Sequence, residues 1–358
     1  MTYNYKKYIF KKFLLSLFKV TLVFSAVVIV MNLLEEISFF KENENIFFIP
    51  IFLTLINMPS VLFEIFPFIF LISTLFFFIE SIDKDEINVF KLYGITNFKI
   101  IQILTTLSFF IGIFLLVIFY NISSNLKFLY LDIKNQYSKD DKYLAVVTGN
   151  GLWIRDELEN SVNYINAEKL EKNKLINLTI SEFDNNFKLK RVIISESADI
   201  VTKNWKLKNS LVSLENNNDK YDQLEFFSNF DEERILSIFE NFSSLDLIKL
   251  ETLKRDYEML GYNTDVINGY KHRLYSFPIY LSLMVCIGAI LMLNIKYNKS
   301  KVTSITLGIV ISVIIYYINY FFNVIIETQD VPYLTSIWGP QLILSMIVMI
   351  NLIRINEK

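Results

Sequence analysis

Long apolar stretches occupy both ends of the chain, and a polar segment of roughly 150 residues separates them. Three apolar stretches precede the polar segment and three follow it, and each is long enough to cross a hydrocarbon core about 30 Å thick. The pattern predicts a polytopic α-helical membrane protein with six transmembrane helices in a three-plus-three arrangement. The predicted spans are Phe13–Leu34, Val61–Ile79, Ile100–Tyr120, Phe277–Leu293, Val302–Ile326 and Leu334–Ile353.

The second apolar region, from Phe47 to Ile79, is too long for one plain span and too short for two. Pro59 interrupts it, and a proline inside a helix removes one backbone hydrogen bond. We therefore predict that the chain approaches along the membrane interface up to Met58 and that the span begins at Val61.

The polar segment alternates apolar and polar residues with a period of two, as over residues 176–180 and around Trp205. This alternation is typical of strands with one face in water. We predict an inserted antiparallel β-domain folded as an open sandwich, jelly roll or half-barrel, and then a helix ending near Gly261 that returns the chain to the membrane. The predicted organisation is residues 1–120 for the first three spans, 121–271 for the β-domain and 272–358 for the last three spans.

Composition supports the membrane assignment. Residues of the set AVILMFWYC make up 53% of the 358 residues, 33 residues are Phe, and only 20% are charged. One soluble core could not bury so many large apolar side chains. The net charge of -2 disfavours nucleic-acid binding. A single Cys and a single His exclude an intrachain disulfide and metal sites built from several cysteines or histidines.

Charge distribution predicts the orientation of the spans. Connections on the side of the N-terminus carry many lysines, whereas connections on the opposite side are acidic. Because positively charged loops remain in the cytoplasm, both termini are predicted to be cytoplasmic and the β-domain to lie outside. The basic residues are Lys6, Lys7, Lys11, Lys12, Lys84, Lys91, Lys99, Lys296, Lys299, Lys301, Arg354 and Lys358, and the acidic ones are Glu35, Glu36, Glu42, Glu44, Glu327 and Asp330.

Motifs of common enzymes are missing from the sequence. It contains no G-x-x-x-x-G-K-[ST] phosphate-binding loop, no G-x-S-x-G and no H-E-x-x-H. We therefore expect no catalytic activity and no cofactor in this chain, and favour transport or scaffolding.

A short amphipathic helix is predicted between the second and third spans, at about residues 83–94. Acidic residues precede apolar ones, and Gly94 closes the pattern. Two interpretations remain open: an ordinary interfacial helix, or a coupling helix whose acids and apolar face enter a groove on an ATPase. The candidate coupling residues are Asp85, Glu86, Val89, Phe90 and Gly94.

One polar stripe follows the fifth span. Five residues recur at spacings of three and four, which places them on one face of a helix. Such a stripe is equally compatible with hydrogen bonds between helices and with the lining of a lipid cavity or gate. Its members are Ser312, Tyr316, Asn319, Tyr320 and Asn323.

Several local motifs, together with the order of spans and β-domain, resemble the LptF/LptG family of lipopolysaccharide-export permeases. The resemblance covers nearly the whole chain, and the stretch GLWIRD favours the LptG type over the LptF type. The matching stretches are Pro59–Pro67, Glu86–Ile95, Gly151–Asp156, Ala198–Leu207 and Trp338–Pro340.

The resemblance implies a half-transporter of the bacterial inner membrane. It would pair with an LptF-like permease and be driven by a cytoplasmic LptB-like ATPase dimer that binds ATP and Mg. It would withdraw lipopolysaccharide from the membrane and pass it to LptC-like and LptA-like periplasmic proteins, with lateral gates at the first and fifth spans. Anionic head groups require cations at the outer rim, for which Lys41, Lys271 and Arg273 are candidates.

Two other classes remain as alternatives. A membrane-anchored periplasmic β-domain could act as a binding or scaffold protein without transport, but it would need neither the amphipathic helix nor the polar stripe. FtsX-like or MacB-like permeases carry their outside domain after the first span, whereas this chain carries it after the third.

Overall fold

The computed structural model describes residues 2–41, 48–137, 152–158, 161–171, 173–184, 188–214, 217–232, 235, 242–259, 264–294, 301–328 and 331–356. The chain forms two compact units: Met1–Lys127 together with Asp265–Lys358, and Phe128–Thr264. The first unit is helical and the second is built around a β-sheet.

Among the described residues, six helices are long and apolar enough to cross a membrane, in agreement with the predicted spans. The third crossing combines α4, a π turn at Leu115–Phe119 and α5 into one continuous helix. The helices are α1 (Thr2–Phe39), α2 (Phe48–Asp83), α3 (Glu86–Leu92), α4 (Asn97–Phe114), α5 (Tyr120–Gln136), α6 (Leu247–Met259), α7 (Asp265–Asn294), α8 (Lys301–Thr328) and α9 (Tyr333–Asn356).

The predicted interfacial approach before the second span is wrong, because α2 is one helix from Phe48 to Asp83 with Pro59 and Pro67 inside it. Prolines are tolerated in membrane helices where neighbouring helices and polar side chains compensate for the lost hydrogen bonds. Helices α1, α7 and α8 all contact α2, which is one of the two most buried spans. Tertiary contacts therefore keep α2 helical through a proline that interrupts the apolar pattern.

Close approach between helices depends on glycines. A Cβ atom added at Gly112 of α4 would lie 2.7 Å from the Cα atom of Pro278 in α7, and one at Gly288 of α7 would lie 3.0 Å from the backbone oxygen of Leu71 in α2. Small residues let membrane helices approach closely enough for backbone contact. Helix α7 is thus clamped between α4 and α2 at the centre of the helical unit.

The β unit contains a six-stranded antiparallel sheet whose described strands pair strictly in chain order. This up-and-down order has no Greek-key crossover, so the half-barrel describes it better than the jelly roll among the predicted alternatives. The strands are β1 (Leu152–Leu158), β2 (Ser161–Glu171), β3 (Lys174–Phe183), β4 (Leu189–Asp199), β5 (Asn204–Leu214) and β6 (Asn217–Phe227).

One face of this sheet is buried, as the period-two alternation requires, and Trp205 is its largest fully buried side chain. The indole Nε1 of Trp205 donates a 2.7 Å hydrogen bond to the backbone oxygen of Phe230, in the segment that follows β6. The next residue back, Asn229, donates from its backbone N and its Nδ2 to the buried carboxylate of Asp156 in β1, at 3.1 and 2.9 Å. The segment after β6 is therefore bonded both to β5, through Trp205, and to β1, through Asp156.

Candidate functional site

Helix α3 connects to α2 and to α4 through short turns with left-handed backbone conformations. Asp85 precedes the helix at φ 56°, and its Oδ1 accepts a 2.6 Å hydrogen bond from Nδ2 of Asn88. Gly94 follows the helix at φ 73°, a value that glycine adopts without strain. These turns set the direction of α3 relative to the spans on either side.

One face of α3 is buried against α1 and α2. Ile87 and Phe90 are buried, and the Glu86 carboxylate on the same face is bound by two side chains of α1. Lys12 donates to Oε2 of Glu86, and the Tyr8 hydroxyl donates to Oε1 at 2.5 Å. The face that holds α3 in place therefore combines two apolar contacts with one charged group.

Lys12 also binds α2, because its Nζ donates a 2.9 Å hydrogen bond to Oγ of Ser81, which is completely buried. The Lys12 side chain is only 8% exposed, so nearly all of its interactions are with protein groups. A buried ammonium group is stable only when it is paired and hydrogen-bonded, as here. Helices α1, α2 and α3 thus meet at Lys12.

Two opposing effects act on the pKa of Glu86. Desolvation acts to raise the pKa, but the hydrogen bonds from Lys12 and Tyr8 and the positive charge of Lys12 outweigh it. The net result is a pKa below the ordinary value of 4.5. The carboxylate is therefore charged near neutral pH.

We expect the ion pair to stabilise the fold constantly near neutral pH and to be lost in acid. A carboxyl whose pKa is lower in the folded than in the unfolded protein stabilises the fold at any pH above its pKa in the unfolded protein. This contribution disappears as the pH falls through the pKa that the group has in the folded protein. The difference in thermal stability between wild type and Glu86→Gln should be constant from about pH 6 to 8 and shrink below about pH 4.5. A difference that grows on acidification would contradict this linkage.

The opposite face of α3 is apolar and exposed. Leu92 is 86% exposed, Tyr93 at the C-terminal end is 80% exposed, and Val89 is 44% exposed. Positions three and four apart lie on one side of a helix, so the three side chains form a single patch, which we call the α3 patch. Asp85 is exposed beside it, at the start of the helix.

The structure divides the five candidate coupling residues between two environments. Glu86 and Phe90 point inward, whereas Asp85 and Val89 are exposed and Gly94 shapes the turn. From the sequence, Lys12 served only to orient the spans and Tyr8 was not identified, because no acidic residue lies near either one in the sequence. Their four-residue spacing on one face of α1 was the available signal.

The polar stripe of the fifth span is likewise divided. Ser312 is buried and donates to the backbone oxygen of Ile309 at 2.8 Å. Asn319 is half-buried, and its Nδ2 lies 2.9 Å from the backbone oxygen of Ile315 and 3.4 Å from the Tyr280 hydroxyl of α7. These two residues lie on the side of α8 that contacts the bundle.

Tyr316 and Tyr320 lie on an exposed part of α8. Their rings stack at a centroid distance of 6.5 Å and an interplanar angle of 16°, and both side chains are more than half exposed. The Asn323 side chain lies outside the described residues. Among the stripe members whose side chains the structure describes, the two tyrosines are therefore the ones available to a lipid or to another protein.

The three head-group candidates lie on two elements. Lys41 is in an exposed turn directly after α1, and Lys271 and Arg273 are in α7, where Arg273 is exposed and Lys271 is half-buried. Because α1 ends and α7 begins on the same side of the helical unit, all three lie towards that side. Within the described residues, no group of three or more His, Cys, Asp or Glu side chains could hold a metal ion.

Comparison with known proteins identifies the family of the chain. No individually curated protein matches the chain significantly. Residues 7–354 match the family described as lipopolysaccharide export system permease LptF/LptG. Together with six helices of membrane-spanning length, this match indicates a multi-pass protein of the inner membrane. With nearly its whole length matched, the chain belongs to the LptF/LptG family of lipopolysaccharide export permeases.

Proposed function

We propose that this chain is the permease half of an ABC-type export complex, with α3 as the helix that docks on a separate LptB-like ATPase. The main observation in favour of this proposal is the α3 patch. Its side chains, Leu92, Tyr93 and Val89, are large, apolar and exposed on a surface outside the spans. Clustered exposed apolar residues mark binding sites, and an amphipathic helix in a groove is a common form of protein recognition. The sequence holds no phosphate-binding loop, so ATP and Mg would be bound by the partner.

The rigid attachment of α3 supports docking over passive contact with lipid. The inner face is fixed by Ile87, Phe90 and the Glu86 pair, so a force applied to the α3 patch reaches the spans. An interfacial helix that only lies on the membrane would need no such attachment. A docking helix needs it, because binding energy is useful only when the bound element moves its neighbours.

The proposed cargo path begins at two of the spans that have much exposed surface. Spans α1 and α8 are less buried than α2 and α7, which suits lateral gates or contacts with a second, LptF-like permease. Charge distribution favours cytoplasmic termini and a periplasmic β unit, which would hand lipopolysaccharide to LptC-like and LptA-like proteins. Lys41 and Arg273 are exposed and could attract anionic head groups at the outer side.

Within the family, we propose the LptG type. The stretch GLWIRD at Gly151–Asp156 supports it, because it is similar to a stretch that is typical of the LptG type. Co-purification from cells that carry a tagged copy of this chain would identify the accompanying permease. Recovery of a second LptG-type chain in its place would contradict the assignment.

Leu92→Glu tests the docking proposal. A charge at the centre of the α3 patch should reduce co-purification of the LptB-like ATPase by about tenfold or more, as for a typical interface hot spot. Leu189→Glu is the matched control, because Leu189 is also an exposed leucine but lies in the β unit, and it should leave co-purification unchanged. Normal ATPase recovery with Leu92→Glu, or a wild-type chain that always purifies alone, would favour the scaffold alternative.

A further inference from the structure

We propose that the Lys12–Glu86 ion pair is the link through which α3 moves α1, and that Lys12 is a positioning residue for transport. This inference rests on the proposed docking of α3 on an ATPase. It assigns Glu86 a different role from the one expected from the sequence. The carboxylate connects the coupling helix to the first span and does not contact the partner.

Connectivity explains why such a link is needed. Helix α3 is joined covalently to α2 by residues 84–85 and to α4 by residues 93–96, but no covalent connection of similar length joins it to α1. Movement of α3 can therefore reach α1 directly only through side chains. Glu86 supplies that contact with two hydrogen bonds to α1, and the Phe90 ring adds an edge contact with Tyr8 at 6.4 Å.

The physical character of the contact suits transmission of movement. Charge-assisted hydrogen bonds are directional, and separating this pair is costly because the Lys12 ammonium would remain buried without its partner. Lys12 is 8% exposed, so water competes little for its ammonium group, and Glu86 is 17% exposed. A purely apolar contact would permit sliding, whereas this pair keeps one point of α3 at a fixed distance from α1.

Position along α1 adds a second argument. Lys12 lies one turn after Tyr8 and directly before Phe13, whose ring contacts Phe70 and Phe77 of α2 edge to face. The α1 span is mostly exposed, since only 28% of the residues in its most apolar segment are buried. A small displacement at Lys12 would thus act on a span that packs against α2 along one side and is exposed over much of the rest of its surface.

The test uses the complete complex with its ATPase and second permease in liposomes that contain lipopolysaccharide. Lys12→Met and Glu86→Gln should keep ATPase association within about twofold of wild type, because the α3 patch is intact. Lipopolysaccharide released per ATP hydrolysed should fall about tenfold, as expected when a link of roughly 1.4 kcal/mol in coupling is removed. The charge exchange Lys12→Glu with Glu86→Lys should recover at least part of that ratio.

Lys11→Met is the matched control, because Lys11 is the adjacent lysine of α1 and is exposed. It should transport as wild type does. The inference is overturned if Lys12→Met transports normally per ATP, if the charge exchange is no better than the single variants, or if Lys12→Met loses the ATPase as Leu92→Glu does. If Lys12→Met loses the ATPase, the ion pair serves only to hold α3 in place for docking and does not transmit movement to α1.

Thermal unfolding of the purified chain, without any partner, separates failure of this inference from failure of the proposed function. The losses caused by Lys12→Met and Glu86→Gln should be strongly non-additive, because either variant already breaks the pair. Additive losses would overturn the link whatever the ATPase does. A wild-type chain that binds no ATPase, in contrast, would overturn the proposed function even if the two residues are coupled.

Discussion

Trp205→Ala is expected to destabilise the β unit by about 3–5 kcal/mol, a large part of the roughly 5–15 kcal/mol that stabilises an ordinary domain. Trp205 is fully buried in the sheet core, and its ring lies 6.0 Å from that of Phe226. Alanine would leave a cavity of nearly the whole indole. It would also remove the donor to the backbone oxygen of Phe230, and a buried carbonyl without a partner costs about 1–3 kcal/mol more.

Trp153→Ala provides the matched control for this prediction. Trp153 lies in β1 of the same sheet but is 53% exposed, so its replacement should change stability by less than about 1 kcal/mol. Limited proteolysis along a temperature series would measure both variants. Cleavage within the β unit should begin at a clearly lower temperature in Trp205→Ala than in wild type, while Trp153→Ala should follow wild type. Equal protection of the two variants would show that Trp205 is not central to the core.

Trp205→Ala also tests whether docking on the ATPase and delivery of lipopolysaccharide depend on different units of the chain. The α3 patch and the Lys12–Glu86 pair belong to the helical unit, and Trp205 belongs to the β unit. Association with the ATPase should therefore survive in Trp205→Ala, whereas delivery of lipopolysaccharide to a periplasmic acceptor should fail. Loss of both would mean that the β unit is needed for the helical unit to fold.

Hydropathy and periodicity were sufficient for the architecture because both depend on neighbouring residues in the sequence. Apolar stretches of about 20 residues predicted the six spans, and alternation around Trp205 predicted strands. The start of α2 was predicted incorrectly because Pro59 weakens a local helix signal, while the helices that compensate for it are distant in the sequence.

The candidate site was only partly predictable for the same reason. The amphipathic pattern placed a helix near Glu86, but the pattern does not say which acid faces the solvent. Lys12 is 74 residues from Glu86 in sequence, and only the packing of α1 against α2 brings the two together. Likewise, periodicity placed Asn319 and Tyr316 on one stripe of α8, although Asn319 contacts the bundle and Tyr316 is exposed.

Replacement of Gly112 should have the second large effect, because it acts on the backbone contact between α4 and α7. The Cβ of alanine would lie 2.7 Å from the Cα of Pro278 and 3.1 Å from its Cβ. Neither atom belongs to a flexible side chain, so the helices themselves must separate. Overpacking of this kind costs about 1–3 kcal/mol for Gly112→Ala, and the larger Gly112→Leu should cost more.

Gly339→Ala is the control that separates contact from helix propensity. Gly339 is also inside a membrane-spanning helix, but a Cβ there meets no atom within 4 Å. Alanine favours a helix over glycine by about 1 kcal/mol, so Gly339→Ala should leave thermal stability equal or slightly higher. Gly112→Ala gains the same propensity, and a net loss in its melting temperature in detergent must therefore come from the contact with Pro278. If both variants were stabilised alike, α4 and α7 would not be in backbone contact, and α7 would lose its place as the clamped centre of the bundle.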